Sequence, residues 1–149
     1  MKIITAAKSD KKELLRFYKA QQYSASYIGY DLCYIVKVSN SIVAAVMVSK
    51  IAEHHHHYFL HALVVDNKFQ HQGLASLLLN HANERHQPLL CFANAPLEAF
   101  YTKNNFVKLL ASAYETKLPP HLYLRFIAYK KKQSQLQVFI STFDNDKTE

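Results

Sequence analysis

Glycine is nearly absent: Gly29 and Gly73 are the only two in 149 residues, where average usage would give about ten. Most turns must therefore use Asn, Asp, Ser and Pro, and each remaining glycine marks a position that needed one. Cysteine is just as scarce. Cys33 and Cys91 have no CxxC spacing, which excludes a disulfide framework, and they read as small core residues on strands rather than nucleophiles. Long hydrophobic runs are missing too. The longest, Ile42 to Val48, is far short of the about 20 residues that cross a bilayer, so no membrane role is expected. Only a few apolar residues separate Lys2 from Lys8, Asp10, Lys11 and Lys12, so no signal peptide is expected and a cytoplasmic setting is the default.

What is present describes a folded chain. Half of the residues are hydrophobic and 13% are aromatic, which excludes a disordered protein. The length suits one domain, burying roughly 70% of the surface exposed by its unfolded form. Eighteen Lys and Arg against eleven Asp and Glu give a net charge of +7. Apart from Lys130, Lys131 and Lys132, these basic residues are scattered. That pattern reads as solvated surface, and a nucleic-acid partner is not expected.

The hydrophobic periods give an element order. Lys2 to Ala6 reads as a strand, followed by a helix with Asp10 and Glu13 in capping-box spacing. Gln21 to Tyr30 reads as a weaker helix. Leu32 to Val38 and Ile42 to Ile51 read as strands of a hairpin turning at Ser39-Asn40-Ser41, and Tyr58 to Val65 as a third strand. From Gly73 the spacing of Leu74, Leu77, Leu78 and Ala82 is helical. Leu89 to Ala93 reads as a buried strand, and Pro96 opens another helix. Phe106 to Ala111 and Leu122 to Tyr129 read as two final long strands. Residues 131–149 read as an extension with an extra strand at Leu136 to Ile140, which could pair with a second subunit in a homodimer, and then a frayed tail. The class is α/β, one domain over residues 1–130 plus that extension.

The histidine run His54 to His57 invites a metal reading. Neighbours on a strand point to opposite faces and cannot converge on one ion, so a polar loop is the better account and no metal is expected.

The main chemical candidate is Leu63-Val64-Val65-Asp66-Asn67-Lys68-Phe69-Gln70-His71-Gln72-Gly73-Leu74-Ala75-Ser76, a strand running through a short loop into a helix. A helix start presents unpaired N–H groups and a positive dipole end to a phosphate. This stretch is similar to the acetyl-CoA signature Gln/Arg-x-x-Gly-x-Gly/Ala of the GCN5-related N-acetyltransferase (GNAT) superfamily, here Gln70-His71-Gln72-Gly73-Leu74-Ala75. Asn94 to Phe106 resembles the family's Asn-x-x-Ala-x-x-x-Tyr-x-Lys-x-Gly-Phe element, with Asn105 in place of the glycine. Asn is a common non-glycine visitor to the left-handed region, so the exchange is tolerable.

The resemblance implies a GNAT-like fold: a mixed, mostly antiparallel sheet of about seven strands flanked by helices and splayed between the fourth and fifth strands. It implies acetyl transfer from acetyl-CoA to a primary amine by direct attack in a ternary complex. Cofactor contacts would come from Leu63, Val64, Val65, Gln70, His71, Gln72, Gly73, Leu74, Ala75, Ser76, Asn94 and Lys103. Tyr101 would protonate the departing thiolate, although the apolar face it occupies also suits a core tyrosine. Phe59-Leu60-His61-Ala62-Leu63 aligns with the His-Leu-His-Val-Leu of aralkylamine-type members, so that His61 would be the base and Phe59 replaces the first histidine. On a regular strand Phe59, His61 and Leu63 share one face. A partly buried structural histidine is the alternative. Tyr23, Tyr27, Tyr30 and Tyr123 would line the acceptor side for a small amine or amino-acid-like molecule. Because His71 and Gln72 stand where members often carry Gly, Arg or Lys, a catalytically weak acyl-CoA-binding sensor is the second reading.

Overall fold

Leu14, Phe17 and Tyr18 recur at helical spacing, and in the structure they are the buried face of α1 (Lys11–Ala20). The structure, a computed structural model, describes residues 2–23, 31–51 and 57–141. Its strands are β1 (Ile3–Thr5), β2 (Leu32–Val38), β3 (Ser41–Lys50), β4 (Tyr58–Val65), β5 (Leu89–Asn94), β6 (Phe106–Lys108) and β7 (Leu136–Ser141). They make one seven-stranded mixed sheet in the order β1-β2-β3-β4-β5-β7-β6. The remaining helices are α2 (Leu74–Arg85), α3 (Glu98–Lys103), α4 (Tyr114–Lys117) and α5 (Pro120–Lys130).

The chain divides into two compact units. The first is Met1–Ser49 with Leu60–Arg85, and the second is Lys50–Phe59 with His86–Glu149. In the first, β1 and β3 both pair antiparallel with β2. Ser39 (φ 51) and Asn40 (φ 65) turn the β2-β3 hairpin between the paired ends Val38 and Ser41. Positive φ at both central residues is what a two-residue hairpin of the I′ kind needs, and Asn supplies one of them cheaply. Leu14, Phe17 and Tyr18 pack with Ile35, Ala45 and Met47 to form this unit's core.

In the second unit Tyr58 and Phe59 pair in parallel with Leu89 and Leu90 of β5. β7 lies between β5 and β6, antiparallel to both. Phe59, Leu90, Phe126 and Val138 form its core.

Four expectations change. Leu122 to Tyr129 is not a strand but most of α5, which begins with Pro120 at its first turn and buries Leu122 and Phe126. Proline suits a helix start, and a four-residue repeat of buried apolar groups is helical; the aromatic and β-branched content concealed it. Leu136 to Ile140 lies inside the sheet, paired with β5 along its length and with β6 from Phe139 on, and is not an edge strand open to a second subunit. Phe106 to Ala111 is a strand only to Lys108, because Leu110 caps a 3-10 turn at Ala111–Ala113. The Asp10–Glu13 capping box does not form. Asp10 closes a 3-10 turn in a helical conformation, and its carboxylate accepts instead from Ala7 N–H (2.8 Å) and Lys37 Nζ (3.3 Å). The expected helix at Gln21 to Tyr30 falls mostly outside the described residues; Gln21 and Gln22 form a turn.

One residue breaks the regularity of β4. Ala62 has φ 56, a left-handed conformation that costs an L-residue roughly 1–2 kcal/mol and is typical of bulges. Strict alternation of Phe59, His61 and Leu63 cannot run through such a residue. The Tyr18 hydroxyl donates to the buried Ala62 carbonyl at 2.7 Å. Burial pushes the Tyr18 phenol well above its usual range, so it remains a donor. Tyr18→Phe should therefore lower unfolding free energy by about 1–3 kcal/mol, the cost of an orphaned buried carbonyl. Urea denaturation measures this, and a loss below 0.5 kcal/mol (roughly the scatter of neutral substitutions) would show that the left-handed Ala62 stands without Tyr18.

Candidate functional site

The first unit holds the loop between β4 and α2. Asp66 N–H donates to Val43 O (2.8 Å), and Asp66 Oδ1 accepts from Lys68 N–H (2.8 Å), starting a 3-10 turn over Asn67–Phe69. Gln70 Nε2 donates to Val65 O (3.2 Å) and to Asn67 Oδ1 (3.1 Å). The loop is thus closed on itself by its own polar groups. His71 (φ 66) and Gly73 (φ 80) are both left-handed and turn the chain into α2. Around Gly73 a Cβ would meet nothing within 4 Å, so the glycine answers a dihedral requirement rather than crowding.

Gln70, His71, Gln72 and Gly73 are exposed, Ala75 and Ser76 half-buried, and Leu74 buried in the helix face. By helix geometry the N–H groups of Leu74 and Ala75 have no carbonyl one turn back. The loop therefore offers backbone donors and a helix dipole, but Gln70 is engaged in holding its shape. Leu63, Val64 and Val65 are half-buried. The carbonyl of Val65 accepts from Gln70 Nε2.

His61 also lies in this unit and is part of a polar chain. Ser49 Oγ donates to Asp31 Oδ1 at 2.6 Å and lies 2.7 Å from His61 Nε2. A hydroxyl has one proton; with that proton on the carboxylate, the imidazole Nε2 is the donor to Ser49. Asp31 Oδ2 is 3.9 Å from the same nitrogen. The sequence reading missed Asp31 and Ser49. The available signal was a lone serine ending the apolar stretch of β3 and an acid opening β2, which gain meaning only when three segments meet.

The second unit holds Asn94, Tyr101 and Lys103. Asn94 ends β5 half-buried, without a side-chain capping bond, and Lys103 is exposed at the end of α3. Tyr101 is 6% exposed. Its ring stacks on Phe139 (5.1 Å, 19°) and meets Phe100 and Phe106 edge-on. Burial pushes the Cys91 thiol up, and hydrogen bonding to Tyr101 works against that rise. Asn105 takes the left-handed conformation (φ 69) of the glycine it replaces. In the first unit, burial pushes the Cys33 thiol up to about 12. Neither cysteine is a nucleophile in these surroundings.

Of the expected acceptor wall, Tyr27 and Tyr30 lie outside the described residues. Tyr23 is 5.7 Å from Tyr18 in the first unit, and Tyr123 packs against the core of the second. His54 to His56 also lie outside the described residues. Among those described, no group of three His, Cys, Asp or Glu could hold a metal, and no helix is long and apolar enough to cross a membrane.

Comparison with known proteins adds a family. The model for an acetyltransferase (GNAT) domain matches residues 29–108, more than half of the chain. A sequence search of curated proteins finds no match. Among solved structures, N-acetylglutamate synthase from Neisseria gonorrhoeae, complexed with coenzyme A and N-acetyl-glutamate, superposes with a TM-score of 0.69 at 13% identity. The match covers 95% of this chain and 35% of the synthase chain, so this protein spans about a third of that enzyme. ElaA from Escherichia coli gives 0.62 at 15% identity, covering 72% of this chain and 88% of its own. The ribosomal-protein-S18-alanine N-acetyltransferase of Escherichia coli gives 0.61 at 16%, covering 73% and 79%. At these identities the structures establish a shared fold.

Proposed function

The chain belongs to the GNAT acetyltransferase family, and from that premise we propose that it transfers the acetyl group of acetyl-CoA to the nitrogen of a small primary amine or amino-acid-like acceptor. The observation that carries the reading is the Val65 to Ser76 turn, where left-handed His71 and Gly73 lead into α2. Backbone N–H groups there would receive the pyrophosphate, with Leu63, Val64 and Val65 alongside the pantetheine arm and Asn94 and Lys103 as further cofactor contacts. In the reaction the amine lone pair attacks the thioester carbon, a C–N bond forms and the C–S bond breaks. The amine gives its proton to His61, and the departing thiolate takes one from Tyr101. A phenol of pKa near 10 is a suitable donor to a thiolate of about 8.5. Two buried thiols with no disulfide spacing suit the reducing cytoplasm as its place.

Binding is tested first. Gly73→Ala and Gly73→Glu share the dihedral strain of about 1–2 kcal/mol, but only the second brings a carboxylate to the phosphate position. Calorimetry should show acetyl-CoA binding lost in Gly73→Glu and retained, weakened, in Gly73→Ala. Equal binding by both would remove the loop from the cofactor site.

Chemistry is tested next, by thiol release with a panel of tyramine, spermidine, L-glutamate and alanyl and lysyl peptides. Tyr101→Phe keeps the stack on Phe139, so a structural tyrosine would lose little; as the acid it should cost about 10²-fold in kcat at unchanged acetyl-CoA affinity. Binding without turnover of any amine would favour a sensor module.

A neutral base works above its pKa, so kcat/KM should rise through a limb at about pH 6 to 7. That limb should vanish in His61→Gln, which can still hydrogen-bond. If His61→Gln keeps the parent rate and limb, His61 is structural.

A further inference from the structure

Asp31 and Ser49 have no part in the reaction as written above, yet they form the most unusual polar feature of the first unit. The Asp31 side chain is 4% exposed. Its Oδ2 has no hydrogen-bond partner among the described residues. A carboxylate buried in this way is costly unless a positive group compensates it. Among the described residues the cationic candidate in reach is His61, with Nε2 3.9 Å from that oxygen and 2.7 Å from Ser49 Oγ, which in turn donates to Asp31 Oδ1 at 2.6 Å.

We infer that Asp31 and Ser49 are positioning residues that hold His61 with a proton on Nε2 and stabilise its ring once it has taken a second proton. The inference rests on the reading of His61 as the base. The logic is one of proton counting. Ser49 has a single hydroxyl proton, which goes to the carboxylate, so its oxygen can only accept from His61 Nε2. An imidazole already protonated at Nε2 takes a further proton only at Nδ1. The proton leaving the acceptor amine therefore arrives at Nδ1, directly or through a water, while the amine keeps its electron pair for attack on the thioester. The resulting imidazolium faces the Asp31 carboxylate through Ser49, and the buried charge gains its counter-ion during the step that needs it.

Among the described residues, the other titratable groups bordering this polar network do not compete. Cys33 on β2 feels the Asp31 charge, and burial holds its thiol neutral at up to about 12. Tyr18, whose hydroxyl holds Ala62 next along β4, is likewise kept protonated by burial.

The test is imidazole 15N NMR on the full chain labelled at histidine, with His61 assigned by its disappearance in His61→Gln. The parent should show the Nε2–H tautomer at high pH. Asp31→Asn removes the charge at similar size and should lower the His61 titration midpoint by about one pH unit. Ser49→Ala should abolish the tautomer preference, and Ser49→Thr, which restores the hydroxyl, should recover it. The acidic limb of kcat/KM, measured with the panel amine acetylated fastest, should move with the midpoint in Asp31→Asn. Circular dichroism checks that each variant is folded, and the two Ser49 variants decide the matter if Asp31→Asn is not. An Nδ1–H parent, an unmoved midpoint, or a limb that ignores a moved midpoint would each overturn the inference. The NMR titration needs no acceptor. A panel without turnover would count against the proposed activity alone and leave the ring-holding to be decided by the tautomer and midpoint.

Discussion

Tyr18 reaches from α1 to the carbonyl of Ala62 and bonds β4 at its one left-handed residue. A left-handed alanine inside a strand loses roughly 1–2 kcal/mol relative to a regular one, out of a net stability of only about 5–15 kcal/mol for a domain. Nothing in the alanine side chain recovers the loss. The recovery comes from a buried O–H donor that cannot titrate away, placed by the helix face that also buries Leu14 and Phe17. His61 stands immediately before the irregular residue, and Leu63 to Val65 run from it into the loop. One hydrogen bond between α1 and β4 thus falls on the residue next to the candidate base and on the strand that leads into the candidate phosphate site.

The loop itself illustrates order achieved through hydrogen bonds rather than ion pairs. Asp66, Asn67 and Gln70 satisfy one another and the end of β4, so the backbone entering α2 is set before any ligand arrives. Preorganisation lowers the ordering cost of binding, which matters where no lysine or arginine stands at His71 or Gln72. The net charge of +7, to which Lys68 of the loop contributes, supplies the long-range part of the attraction for an anionic cofactor.

Local rules carried the sequence reading far where structure is local. The bounds of β2 and β4, the hairpin at Ser39-Asn40, the helix after Gly73 and the left-handed Asn105 were all legible from period, turn chemistry and motif. The failures share a cause. Leu122 to Tyr129 has residues that favour strands, and its helix shows in the burial of Leu122 and Phe126 four residues apart, with Phe92 and Tyr114 packed on the Phe126 ring. The placement of β7 between β5 and β6 is a non-local choice that no window reveals. Positive φ at Ala62 has no sequence signal, because alanine is not a residue associated with it. Asp31, Ser49 and His61 are far apart in sequence, and each alone looks ordinary.

Both units also set a tyrosine beside a buried cysteine, and the difference between the two pairs bears on which tyrosine can do chemistry. Tyr18 adjoins Cys33, but its hydroxyl proton is committed to a peptide carbonyl at 2.7 Å, a strong acceptor in a buried site. Moving that proton would orphan the carbonyl and release the strained alanine. Tyr101 adjoins Cys91, and a thiol is a weak acceptor. In the proposed transfer, the thiolate produced by the breaking C–S bond would be a far better one, since hydrogen bonds to charged acceptors are roughly twice as strong as neutral ones. The ring of Tyr101, stacked on Phe139 and flanked by Phe100 and Phe106, is already held in place. Redirecting its proton requires a turn of the hydroxyl rather than of the side chain. Of these two tyrosines beside buried cysteines, Tyr101 is therefore the one whose environment is compatible with a proton donor, and Tyr18 the one whose environment demands that it remain a structural bond.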